Sequence, residues 1–143
     1  MIKMTKQFKI LTQFVKDMSS ETPDVETYLY VKEYLKNYNL NIDITTKPLK
    51  NRMIEVNTKL SYNDKGKSKN KSNFEITYTS IVKIDEGLKD RKIIEKIILC
   101  DIQKEIYPNL EKTFINLLTN SGFPGIKFEK KVDFEQLYNQ RFN

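Results

Sequence analysis

Two carboxylates, Asp17 and Glu21, stand four residues apart in the stretch "FVKDMSSETP", near the start of a chain whose formal net charge is +6. Paired carboxylates can exchange protons as general acid and base, or they can receive and steer a cationic partner. Around them the usual catalytic inventory is missing. There is no histidine, so the commonest general base and metal ligand is absent. Cys100 is the single cysteine, which can build neither a thiolate metal centre nor an internal disulfide. No phosphate-cradling glycine loop, dinucleotide fingerprint or nucleophile elbow occurs. No carboxylate pair is marked out for catalysis either. The residue types therefore point to a binding protein rather than an enzyme, with no cofactor. Taken alone, Asp17 and Glu21 read equally well as turn-capping or solvated acids.

The elements that must hold these acids follow from hydrophobic period. Residues 7–15 alternate weakly as a strand, with Phe8, Ile10 and Phe14 at even positions, and Ser19, Ser20, Thr22 and Pro23 then read as turn formers. "LNIDITT", residues 40–46, alternates cleanly and ends before Pro48, which has no N–H to donate to a ladder. "MIEVNTKLSY", residues 53–62, and "NFEITYTSIVKI", residues 73–84, repeat the pattern, and the polar run 63–72 between them makes an antiparallel hairpin. "ETYLYVKEYL", residues 26–35, mixes strand-like aromatics with helical spacing and reads as irregular or mixed.

The period then changes. Ile94, Ile98, Ile102 and Ile106 recur four apart, with Ile93 and Ile97 beside them, a broad helical stripe over residues 91–106 that Asp90 can cap. Pro108 suits the first turn of a second helix over 108–122, ended by Gly122. A connector leads to a short helix over 133–142 with Asp133 as its cap. Strands first and helices afterwards predict an α+β domain with an antiparallel sheet. The chain of 143 residues fits one domain, residues 1–143.

Composition narrows the partners. No apolar run approaches the roughly 20 residues needed to span a bilayer, and no signal-peptide pattern opens the chain. With the lone cysteine, this predicts a cytoplasmic protein without membrane insertion. The net charge invites a nucleic-acid reading. Its one dense cluster, "KGKSKNKS" at 65–72, has no aromatic residue to stack on a base, and it reads as a solvated loop. Eight tyrosines and eight phenylalanines exceed what a small two-layer core needs, which points to a partner interface or a binding groove.

Five segments in order give a resemblance. The strand runs into "FVKDMSSETP", and "FEITYTSIVKI" carries an apolar–Glu–apolar step. Tyr107-Pro108 opens a long helix, "SGFPGIKF" (121–128) turns out of it, and "VDFEQLY" (132–138) closes the chain. Their order and spacing over about residues 8–142 resemble the SecB family of bacterial protein-export chaperones. The resemblance implies a four-stranded antiparallel sheet with helices packed on one face. It implies an ATP-independent holdase that binds unfolded preproteins and delivers them to the SecA motor of the Sec pathway. The positions matching the acids that receive the motor's basic, zinc-binding tail are Asp17, Glu21 and Glu75. The family assembles as a homotetramer, a dimer of dimers, and Phe74, Ile76 and Tyr78 match positions that influence assembly. The substrate groove is expected near Phe14, Tyr28, Tyr30 and Pro48. The chain departs from the family in its positive charge and in lacking a cysteine–proline step within "LCDIQKEIYP". Two other readings stand beside this one: a SecB-like chaperone dedicated to an antitoxin, and a small basic nucleic-acid-binding protein.

Overall fold

Four stretches of period-two alternation pair into one antiparallel sheet. They are β1 (Phe8–Glu21), β2 (Tyr38–Pro48), β3 (Met53–Asp64) and β4 (Asn73–Ile84), in the spatial order β1-β4-β3-β2. The structure, a computed structural model, describes residues 7–66, 71–128 and 132–142, so part of the lysine-rich stretch 65–72 and part of the connector lie outside the described residues. Residues 53–84 form the expected hairpin, with Leu60 opposite Ile76 and Tyr62 opposite Phe74. This register puts all the even-numbered apolar residues of β3 and β4 on one face. That face is the core: Val56, Leu60, Phe74, Ile76 and Val82 are fully buried.

The helices cover it. α2 (Arg91–Lys96) is capped by Asp90, whose Oδ1 accepts from the Lys92 amide at 2.9 Å. It passes through a π turn (Ile97–Asp101) into α3 (Ile102–Asn120) without a break. The expected second helix starting at Pro108 does not exist as a separate element, because Pro108 lies inside α3. Proline there forfeits one intrahelical bond. Burial of Ile102, Ile106, Leu110, Phe114 and Leu118 along one stripe outweighs that loss, and Pro108 itself is on the exposed side. α4 (Phe134–Phe142) is capped by Asp133, as its sequence suggests, and docks through Phe134, whose ring lies 5.3 Å from Tyr107.

Two further expectations are corrected. Residues 26–34 are helical, within α1 (Val25–Tyr34), and Leu35 opens the 3₁₀ turn Leu35–Asn37: Asp24 accepts from the Thr27 amide at 2.7 Å, and Thr27 and Val31 are buried. Hydrogen bonds from Thr27, side chain first and then backbone, hold the Asp24 carboxyl below the usual carboxylate range. And β1 does not dissolve after residue 15. It runs on to Glu21, opposite Asn73, because β4 offers a full-length partner and Ser20 Oγ meets Ser121 Oγ at 2.6 Å. Two bulges, at Leu11 and Lys16, shift its register. The first reverses the alternation, so Phe8 and Ile10 face the helices while Phe14, opposite Thr79, lies on the other face.

Candidate functional site

β2 is an edge strand, and beside it lies a groove of about 830 Å³. One wall is the 3₁₀ turn after α1, with Leu35 and Lys36; the floor is Tyr38, Leu40 and Ile42 of β2 with Tyr62 of β3. The other wall is the segment after α3, with Lys127, Phe128 and Val132, and Leu137 of α4. Aromatic packing fixes these walls. Phe128 stands edge-on to Tyr62 at 5.5 Å and stacks on Phe114 at 6.3 Å, while Tyr38 and Tyr62 lie 5.3 Å apart. Tyr38 also ties the start of β2 to the start of β4, because its hydroxyl donates to the Ser72 carbonyl at 2.8 Å and accepts from the Ser72 amide at 2.9 Å. Burial raises the pKa of both Tyr38 and Tyr62, so both stay neutral. An apolar floor along an unpaired strand edge can do two things at once. It can take apolar side chains, and it can offer main-chain hydrogen bonds to an extended chain.

The expected groove residues do not line this groove. Phe14 is on β1, at the opposite edge of the sheet. Tyr28 is turned away, packing tilted against Phe123 at 5.1 Å and donating to the Gly122 carbonyl at 2.7 Å. Tyr30 pairs with Tyr34 on α1, and Pro48 ends β2 beyond the groove. This groove is made instead by an edge strand and by a wall brought back from the end of the chain. Phe74, Ile76 and Tyr78 likewise stand inside the core beneath the helices, at 0%, 0% and 4% exposure. A second copy of the chain cannot touch them. The Tyr78 hydroxyl instead accepts from Asn109 on α3 at 2.9 Å and donates to Gln13 on β1 at 3.0 Å.

The three acids are brought together. Asp17 pairs with Thr77, Ser19 with Glu75 and Glu21 with Asn73, so all three carboxylates project from the face that carries no helix. Glu75 is the diagonal cross-strand neighbour of both others, at roughly the 7–8 Å such pairs keep. Lysines are interleaved with them: Lys59 lies 3.6 Å from Glu75 and Lys16 3.3 Å from Glu55. The Asn57 amide first, and Lys16 second, hold the Glu55 carboxyl below its ordinary value. Asp17 borders a shallow hollow of about 310 Å³ with Lys16, Asp43 and Lys59. Among the described residues no three His, Cys, Asp or Glu side chains converge as metal ligands, and no helix is long and apolar enough to cross a membrane.

Comparison with known proteins accounts for this architecture. The profile of the family described as preprotein translocase subunit SecB matches residues 2–143. The chain belongs to the SecB family. A SecB-type protein-export protein of Pelagibacter ubique (strain HTCC1062) is 59% identical over 140 residues, covering 98% of this chain and all of that one. The protein-export protein SecB of Parvibaculum lavamentivorans (strain DS-1) is 25% identical over 94% of this chain and 79% of its own length. Among solved structures, the SecB-like chaperone Rv1957 of Mycobacterium tuberculosis, in complex with a ChAD peptide from the HigA1 antitoxin Rv1956, shares the fold. Its TM-score is 0.61 over 87% of this chain and 91% of that one, at 10% identity. Family and names together support a SecB-type chaperone of protein export, a family of chaperones rather than enzymes.

Proposed function

We propose that this SecB chain is an ATP-independent holdase that binds unfolded preproteins in the cytoplasm and delivers them to the SecA motor, working as a homotetramer built as a dimer of dimers. The observation that carries the reading is the groove of about 830 Å³ laid along the free edge of β2. Apolar side chains and unpaired amides occur wherever a chain is unfolded, so a surface that reads only those two features is unselective by construction. Several weak subsites along it add through effective concentration. The acidic face, with Asp17, Glu21 and Glu75, lies on the other side of the sheet from the helices, and it is the surface for the motor's basic tail.

The test is arrest of refolding. A denatured client diluted into the purified protein without nucleotide is expected to stay unfolded and bound. Leu137→Asp, at a groove residue 43% exposed and therefore dispensable to the core, is expected to weaken that arrest severalfold. Unhindered refolding in the presence of the unaltered protein would refute the holdase reading.

A second reading keeps the site and changes the client: a chaperone dedicated to one antitoxin. It is favoured by the solved SecB-like chaperone of the same fold, which holds an antitoxin peptide. Arrest of a single client, with unrelated denatured proteins left to refold, would select it.

A further inference from the structure

On the face of the sheet that carries no helix, a file of side chains crosses three strands. Thr79 of β4 stands opposite Asn57 of β3 on that face, yet it is only 1% exposed. Its hydroxyl donates to Asn57 Oδ1 at 2.6 Å. The Asn57 amide donates in turn to Glu55 Oε2 at 2.8 Å, and the same oxygen meets Lys16 Nζ at 3.3 Å. Lys16 is the extra residue of the second bulge in β1, between Val15, opposite Tyr78, and Asp17, opposite Thr77. Because β4 lies between β1 and β3, the lysine reaches across two interstrand spacings, roughly 9–10 Å, to this carboxylate. Lys47 stands directly opposite Glu55 on β2, but it is Lys16 that makes the ion pair. Asp17, the next residue in the chain, lines the same hollow of about 310 Å³ as Lys16. No described cation is within ion-pair distance of Asp17.

We propose that Glu55 is a positioning residue for motor docking: it holds Lys16 away from Asp17, so that the Asp17 carboxylate stays open to a cationic partner. The inference rests on the reading of the acidic face as the motor's surface, and it adds an internal competitor to that surface. In a chain of net charge +6, a carboxylate meant for a partner must first be kept from the chain's own lysines. Lys16 is the most persistent of these for Asp17, because a covalent neighbour competes at an effective concentration that a partner in solution does not match. The bulge keeps both side chains beside the same hollow. Glu55 wins the lysine because its carboxylate is already fixed. It is bonded through Asn57 to a buried hydroxyl, so little side-chain entropy is left to lose on its side of the pair. Its side chain is also only 23% exposed, which limits screening. With the Glu55 charge gone, Lys16 is released among the other carboxylates that line the hollow, Asp17 and Asp43.

The experiment measures SecA affinity by calorimetry at low salt for the unaltered protein, Glu55→Gln, Lys16→Gln and the double variant, a cycle that isolates the coupling between the two residues. Glutamine keeps an oxygen that can accept from Asn57 and removes only the charge. Glu55→Gln is expected to weaken binding about two- to fivefold, the span of an exposed ion pair. The loss should vanish when Lys16→Gln is also present, and again in an Asp17→Asn background. Client arrest and the thermal melt should stay the same through the cycle. An equal loss with and without Lys16 would show Glu55 acting by its own charge and would overturn the proposal. Unchanged affinity in Glu55→Gln, an undiminished loss in Asp17→Asn, or a Glu55→Gln variant that no longer folds would overturn it too. Each of these leaves the docking reading standing, whereas an unaltered protein without measurable SecA affinity would remove both.

Discussion

Gln103 is a fully buried amide in a helix stripe that is otherwise apolar. Its Oε1 accepts from Thr58 Oγ1 at 2.9 Å, and its Nε2 donates to the Ile98 carbonyl at 3.2 Å, within the π turn. The amide thus satisfies a carbonyl inside the irregular turn and a hydroxyl from the sheet beneath it. Gln103→Leu strands both, at about 1–3 kcal/mol for each group left unpaired. A urea melt should show a loss in that range or above it. Adding Thr58→Val should recover part of it, because the hydroxyl is then gone, and no recovery would mean that the Thr58 bond is not what is lost. At the same scale, the acids on the open face differ from Gln103 in that they hold nothing up. Asp17→Lys or Glu75→Lys is expected to abolish motor binding while leaving client arrest and the melting curve unchanged. Unaltered SecA affinity in both variants, measured by calorimetry, would take the docking role away from these positions.

Elements differ in how far their residues announce them. The strands β2, β3 and β4 were legible because a one-sided sheet forces period-two alternation, and the caps Asp90 and Asp133 were legible because orphan amides require an acceptor. α1 was not, since its ten residues carry aromatics at spacings that suit either structure, and what settles it is the Asp24 cap and the docking of Tyr28. Nor were the bulges at Leu11 and Lys16, where nothing in the residue types signals an extra residue, yet the first moves Phe14 to the opposite face. The groove was hidden for a related reason: its walls come from Leu35 and Lys36 on one side and from Lys127, Phe128, Val132 and Leu137 on the other, residues far apart in the chain. The α1 docking yields a prediction of its own. Gly122 holds φ +99°, and a Cβ there would come within 2.6 Å of Tyr28 Cε1. Gly122→Ala therefore meets backbone strain of about 1–2 kcal/mol and a clash on top of it. Faster amide exchange over residues 25–34 is expected, with a smaller increase in Tyr28→Phe, which loses only the hydroxyl's bond to the Gly122 carbonyl. Unchanged exchange across α1 in Gly122→Ala would show that this contact does not hold the helix.

For the whole molecule the decisive feature is that the two edges of one sheet are built for different neighbours. The edge at β2 lies beside a groove of about 830 Å³ between two walls. The edge at β1 is bare, and it carries Leu11, Phe14, Val15 and Met18 at 40–46% exposure, with apolar side chains on both of its faces. A long free edge of this kind invites edge-to-edge pairing, and no proline or inward charge blunts it between Phe8 and Glu21 beyond the two bulges. Since Phe74, Ile76 and Tyr78 are sealed in the core, an assembly of this chain must use surface such as β1, and those three residues can influence it only by setting how β1 is held. If the proposed homotetramer forms, sedimentation of the unaltered protein gives a mass near four chains of 17.0 kDa. Phe14→Glu/Met18→Lys replaces one apolar residue on each face of the strand with a charge, and side chains this exposed carry little of the core. That variant is expected to sediment as a smaller species with its thermal melt largely kept, and a tetramer of undiminished stability would exclude β1 from the interface.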